Sequence, residues 1–275
     1  MKHLLILALM TTPLLSNAQT ETTKSTAKEE SLMAKLEASK FDLMVIADTK
    51  LSKNSDYDVN GVANENVVYF GYNMTKNDNI RLDSSIYTTN TDETETSSDW
   101  TGIGFRYNRK NILTEEKHGL NLSSEVRYQM NPSDVERESQ VSGYISPRIN
   151  LNKKISDKVS LNLNLREYEY IRTNSNVKNK RRYYRALFST SVGITDSITA
   201  GVLLDYVNLK YDDSAERKTK EYIGILPSVS YSFTQKLSMD LYWDATPFTS
   251  TDDKLFAQDW AKSAAFGATL VYSVF

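Results

Sequence analysis

Leu120-Asn121-Leu122-Ser123-Ser124-Glu125-Val126-Arg127-Tyr128-Gln129-Met130 alternates almost without a break: Leu120, Leu122, Val126, Tyr128 and Met130 are apolar or aromatic, and Asn121, Ser123, Glu125, Arg127 and Gln129 between them are polar. Successive side chains of an extended strand project to opposite faces, so this segment offers one face to an apolar surrounding and the other to a polar one. What that means for the fold depends on how often the pattern recurs.

It recurs along the whole chain. Upstream, Phe41, Leu43, Val45 and Ala47 alternate with Asp42, Met44, Ile46 and Asp48; residues 68–74, 80–86 and 101–107 follow, the last with Thr101, Ile103, Phe105 and Tyr107 around Gly102 and Gly104. Downstream come 141–151, 159–165, 184–194, 198–206, 223–233 and 237–243, then a final run from about 259 to 275 in which Trp260, Ala264, Phe266, Ala268, Leu270, Tyr272 and Val274 share a face. A stretch of about 18 consecutive apolar residues, long enough for a membrane helix, is absent. The pattern therefore predicts an all-β fold, a transmembrane antiparallel up-and-down β-barrel of about 12 strands, with lipid outside and a polar lumen inside.

The connections alternate too. Long polar links at 51–63, 90–99, 131–139, 173–180, 211–220 and 246–258 are interleaved with short ones at 76–78, 152–157, 195–197 and 234–236. Membrane barrels have long outer loops and short periplasmic turns, so a first strand that starts in the periplasm sends every long link outward. The link 108–118 is too long for a simple turn and stands apart.

At the start, Lys2, an apolar run to Leu15 and Ser16-Asn17-Ala18 before Gln19 have the layout of a secretory signal peptide. We expect a signal peptide over 1–18, an N-terminal periplasmic segment over 19–40 and the barrel over 41–275. The chain has no cysteine, hence no lipid-anchor site and no disulfide framework. A net charge of −2 gives no bulk reason to bind nucleic acid.

The leader, the alternating strands, the loop asymmetry and the ending Tyr272-Ser273-Val274-Phe275 together resemble the Gram-negative outer-membrane β-barrel proteins, small porin-like barrels among them. The resemblance covers nearly the whole chain beyond residue 18. It implies a bacterial outer-membrane location, contact with lipid and lipopolysaccharide, and delivery by a barrel-insertion machinery for which Phe275 and Tyr272 are the expected signal.

Barrel enzymes of that membrane use a histidine as families. Beyond the leader the chain has His118 alone, in Glu115-Glu116-Lys117-His118-Gly119, with no Ser or Asp on a neighbouring strand matched to it. We expect an ordinary surface residue, no catalytic site and no enzyme activity. The acidic groups Asp92-Glu93-Thr94-Glu95, Asp212-Asp213 and Asp252-Asp253 lack the spacing and central glycine of a calcium loop, so neither a metal nor a cofactor is expected.

The polar face carries the chemistry. It places Arg81, Arg106, Arg127, Arg148, Arg166 and Arg185 one per strand from the third to the eighth, and Asp42, Asp48, Asp205, Asp240 and Asp244 on the remaining arc. Asp83 and Glu125 blur the division. The reading is a narrow porin-like channel for small polar or anionic solutes, with a basic and an acidic wall facing each other across the lumen. If the opposed charges pair and fill the interior, the alternative is a closed structural or adhesion barrel whose loops contact lipopolysaccharide or a partner.

Overall fold

A computed structural model describes residues 40–53, 59–92, 95–130, 141–172, 180–211, 219–250 and 264–274. The expected leader, nearly all of the 19–40 segment, stretches within all six long links, and Phe275 lie outside the described residues.

The strands are β1 (Phe41–Lys53), β2 (Val59–Asn73), β3 (Asp78–Asp92), β4 (Glu95–Leu113), β5 (Asn121–Met130), β6 (Val141–Lys154), β7 (Val159–Arg172), β8 (Lys180–Gly193), β9 (Ile198–Tyr211), β10 (Thr219–Ser232), β11 (Leu237–Thr249) and β12 (Ala265–Ser273). One helical turn, α1 (Glu115–His118), joins β4 to β5. Each strand is antiparallel to the next and the sheet closes, with β12 returning to β1. Ala47 faces Leu270 and Val45 faces Tyr272 across that seam, and the Val274 amide donates to the Leu43 carbonyl at 2.8 Å. The expected twelve-strand up-and-down barrel is the observed fold.

Every strand leaves at least one large apolar side chain exposed: Val45, Phe70, Leu82, Phe105, Val126, Ile149, Leu165, Phe188, Leu204, Val229, Leu241 and Phe266, in strand order. A belt of that extent is an aggregation surface in water and the required surface in hydrocarbon, where the closed ladder also satisfies the backbone. Among the described residues no helix is long and apolar enough to cross a membrane.

Four of the five short connections share one recipe, Met74-Thr75, Ile155-Ser156, Ile194-Thr195 and Phe233-Thr234 each followed by two polar residues. The hydroxyl in second position accepts the amides two and three residues on: Asn77 and Asp78 at 3.1 and 3.0 Å onto Thr75, Lys158 and Val159 at 3.3 and 3.2 Å onto Ser156. Thr195 and Thr234 do the same for residues 197–198 and 236–237. Such side-chain turns cap a hairpin without a glycine. The fifth connection, which looked too long, is resolved by β4 continuing to Leu113 and by α1 filling the remainder.

Strands outrun their apolar alternation on the loop side. β4 has 19 residues where the apolar alternation marks only 101–107, because Ser97, Ser98 and Asp99 hydrogen-bond as a ladder above the lipid, where no apolar face is needed. A bulge corrects one assignment: the β3–β4 register slips between Ser85 and Ile86, turning Thr101 off the Ile103 face to bond Ser85 on the inner face. Pro147 and Pro227, which lack a donor, sit where the β6–β7 and β10–β11 pairings lapse.

Leu204 is 40% exposed at mid-strand on the outer face, whereas Ser228 shares the inner face with Ser230. Leu204→Arg should cost about 2–4 kcal/mol in urea-monitored folding into lipid vesicles, and Ser228→Arg should cost far less. Equal losses would contradict the inside–outside assignment.

Candidate functional site

The inner face is organised by register. Arg81, Arg106 and Arg127 are direct cross-strand partners on β3, β4 and β5, and Arg148, Arg166 and Arg185 on β6, β7 and β8. Between the rows, Arg127 faces Ser146 and Glu125 faces Arg148, so the second row is stepped by one inward-facing position. The six guanidiniums form one oblique stripe. Like charges directly opposite repel, so the stripe needs carboxylates close by.

It draws them from the wall itself. Asp83, with its side chain only 2% exposed, accepts Arg106 Nε at 2.6 Å and also Arg127. Glu125 lies 3.0 Å from Arg148 and 3.7 Å from Arg106. Arg81 reaches Asp42 at 3.0 Å, and Arg185 grips Asp205 by two bonds of 2.8 and 2.6 Å. Tyrosine rings back the guanidiniums, Tyr69 lying 5.0 Å from Arg106, Tyr144 5.7 Å from Arg127 and Tyr168 5.8 Å from Arg148.

The acidic residues of the other arc are held differently. Asp48 accepts the Tyr242 and Thr269 hydroxyls at 2.8 and 2.7 Å, and Asp244 pairs with Lys50 at 2.6 Å. Asp240 lies between Ser230 and Thr269 in register and has no hydrogen bond or ion pair among the described residues. Among the described residues every ion pair joins strands at most two apart around the barrel. The charges are thus neutralised laterally, because a neighbouring strand is nearer than the opposite wall. Asp83 and Glu125, which seemed only to blur the division, are the centre of the network.

Glycine makes the two-strand reaches possible. A Cβ on Gly104 of β4 would lie 2.6 Å from both Asp83 oxygens, so only glycine lets that carboxylate lie across β4 to Arg127 on β5. The same device carries Asp42 over Gly71 to Arg81, and Tyr242 over Gly267 to Asp48. The signal was present in the sequence as small residues on the polar face. It could not be read without knowing which charged residue lies one strand over.

Packing is uneven around the interior. Most buried residues of the strands belong to β3–β9, among them Asn79, Asp83, Gln129, Ser146, Arg148, Asn164, Tyr168, Leu187, Asp205 and Val207; Gly224 of β10 and Ala245 and Pro247 of β11 are buried as well. The inner faces of β10–β12 carry the small side chains Ser228, Ser230, Ser238, Gly267, Thr269 and Ser273, most of them partly exposed, beside Asp240, Asp244 and the larger Tyr242. A cavity of about 480 Å³ opens on that side at the turn end, lined by Ser232, Ser238, Val271 and Ser273 among others.

The remaining candidates lie elsewhere. His118 ends α1, its Nδ1 3.3 Å from the Thr114 amide and carbonyl. Tyr272 is exposed on the outer face of β12, while Phe275 lies outside the described residues. The acidic loop groups likewise fall where side chains are not described.

Removing the carboxylate at Asp83 leaves two guanidiniums facing each other in a site with little water. Asp83→Asn should destabilise the folded barrel by about 3–5 kcal/mol in urea-monitored refolding, and Gly104→Ala, which displaces the same carboxylate, by about 1–3 kcal/mol. The double variant should fall well short of the sum, since both changes break one contact.

No protein-family model matches the chain, and no curated protein matches it in sequence. Among solved structures it is similar to an outer membrane channel from Pseudomonas putida F1, with 10% identity, a TM-score of 0.62, and 86% of this chain and 96% of that one covered. It is also similar to the NanC porin, with 10% identity, a TM-score of 0.51, and 83% and 98% covered. At such identity the likeness is one of fold: the chain has the architecture of outer-membrane porin-like barrels.

Proposed function

We propose that the chain is a channel of the bacterial outer membrane that passes small polar solutes and favours anions. The observation that carries this reading is the lateral pairing. Charges neutralised along the wall do not bridge the lumen, and β10–β12 line its other side with serine, glycine and threonine beside Asp240, Asp244 and Tyr242. A twelve-stranded barrel is wider than the eight-stranded size that side chains fill, so an inner wall packed mainly on β3–β9 leaves an eccentric path beside the turn-side stretches of β10–β12. On that wall six inner arginines stand with three carboxylates, Asp83, Glu125 and Asp205, and Asp42 of β1 reaches it as a fourth, which leaves it positive. A positive wall in a narrow aqueous path raises the local concentration of anions.

On this reading the outer face meets lipid and lipopolysaccharide, the chain is delivered by the barrel-insertion machinery, and His118 takes no part. The extent of burial on β3–β9 favours a second reading, a closed structural or adhesion barrel acting through its loops.

Planar-bilayer recording separates the two. The channel reading expects discrete conductance steps from the folded protein, reduced by Ser230→Trp on the small-residue arc and unaffected by His118→Ala. Folded protein that never conducts above background would favour the closed barrel.

A further inference from the structure

The two arginine rows are not neutralised alike. In the row Arg81, Arg106 and Arg127, Asp42 and Asp83 contact all three members. In the row Arg148, Arg166 and Arg185, carboxylates stand only at the ends: Glu125 on Arg148, shared with Arg106, and Asp205 on Arg185 through both of its oxygens. Arg166 stands between them. Its Nε donates to the Asn164 amide oxygen, but among the described residues no carboxylate reaches it. Two guanidiniums flank it directly in register, an arrangement that repels itself unless an anion completes it.

The surroundings narrow the chemistry. On the loop side of the row, Tyr168 packs against Tyr144 and Tyr183 with centroids 5.1 and 4.8 Å apart. On the turn side are amides and hydroxyls: Asn150 bonded to Asn164, Asn152 facing Asn162, and Ser160 bonded to Ser191 at 2.7 Å. One unneutralised guanidinium matches a single negative charge, and guanidinium presents paired donors that fit a carboxylate. Amides and phenols on either side suit hydroxyl groups.

We propose that Arg166 anchors an anion-binding subsite in the barrel interior for a monocarboxylate that carries hydroxyl groups. Arg148 and Arg185 supply its field, Asn164 holds the Arg166 side chain in place, and the proposal rests on the channel reading only for the anion's way in.

D-glucuronate is a suitable probe, with D-glucose as its uncharged counterpart. In bilayers, glucuronate should reduce the potassium chloride conductance where glucose does not. Arg166→Gln should weaken that block at least about tenfold, the range of a charge-assisted hydrogen bond, and move the reversal potential in a salt gradient toward cation selectivity. Arg166→Lys should keep the selectivity and lose part of the block, because a point charge replaces a two-pronged donor. Arg109→Gln, at the turn rim where Arg109 pairs with Asp78 at 2.7 Å, should change neither. Block and reversal potential unaltered by Arg166→Gln would overturn the subsite while leaving the channel standing. If the wild-type barrel does not conduct, calorimetric titration of the detergent-folded protein decides. Binding heat lost in Arg166→Gln upholds the subsite, and no heat from the wild type overturns it.

Discussion

Hydrocarbon offers no hydrogen-bond partner, so every amide and carbonyl that crosses a bilayer in an extended chain must be paired by a neighbouring strand. The rest of the molecule follows from that demand. A sheet with free edges cannot meet it, which is why β12 must return to β1 and why the seam continues to the Val274 amide and the Leu43 carbonyl. It also fixes where irregularity is tolerated. The bulge at Thr101 lies toward the loop end of β4, and the two prolines stand where one flanking ladder has already lapsed.

Closure then dictates the interior. With side chains alternating by a period of two, a charge within the apolar belt has to point inward, and twelve strands bring those charges side by side in register. Arginines stacked across three neighbouring strands repel unless carboxylates on the same wall answer them. Asp83 and Asp42 do so by lying over glycines of the intervening strand, a reach that any larger residue at Gly104 or Gly71 would block. Neutralising charge along the wall rather than across it keeps the centre free of bridging ion pairs. Side chains pack more heavily on β3–β9, while the turn-side stretches of β10–β12 carry small hydroxylated residues.

The architecture was legible because each of its signals is local. The alternation in 120–130, the final run to Tyr272 and the spacing of short turns depend on residues a few positions apart. The strand tips were not legible, since Ser97, Ser98 and Asp99 continue a ladder with no apolar face to betray it. The repeated Thr or Ser in the second turn position was visible, but its meaning emerges only when the amides are seen to converge on it. The inner arginines could be placed on one face by counting in twos. Their partners could not, because choosing Asp83 for Arg127 or Glu125 for Arg148 requires the register between strands, and register is a property of the closed sheet.

The closure of the cylinder is the claim on which everything else stands, and the cysteine-free chain allows a direct test of it. Ala47 of β1 and Leu270 of β12 are register partners, and directly opposed residues of an antiparallel pair lie about 4.5–5.5 Å apart at Cα, within disulfide reach. With Ala47→Cys and Leu270→Cys introduced together, mild oxidation of the membrane-folded protein should form the crosslink as fully as the internal control Leu165→Cys with Ala186→Cys on β7 and β8. A control that crosslinks while the 47–270 pair stays reduced would mean that the first and last strands are not neighbours, and the closed barrel would have to be abandoned.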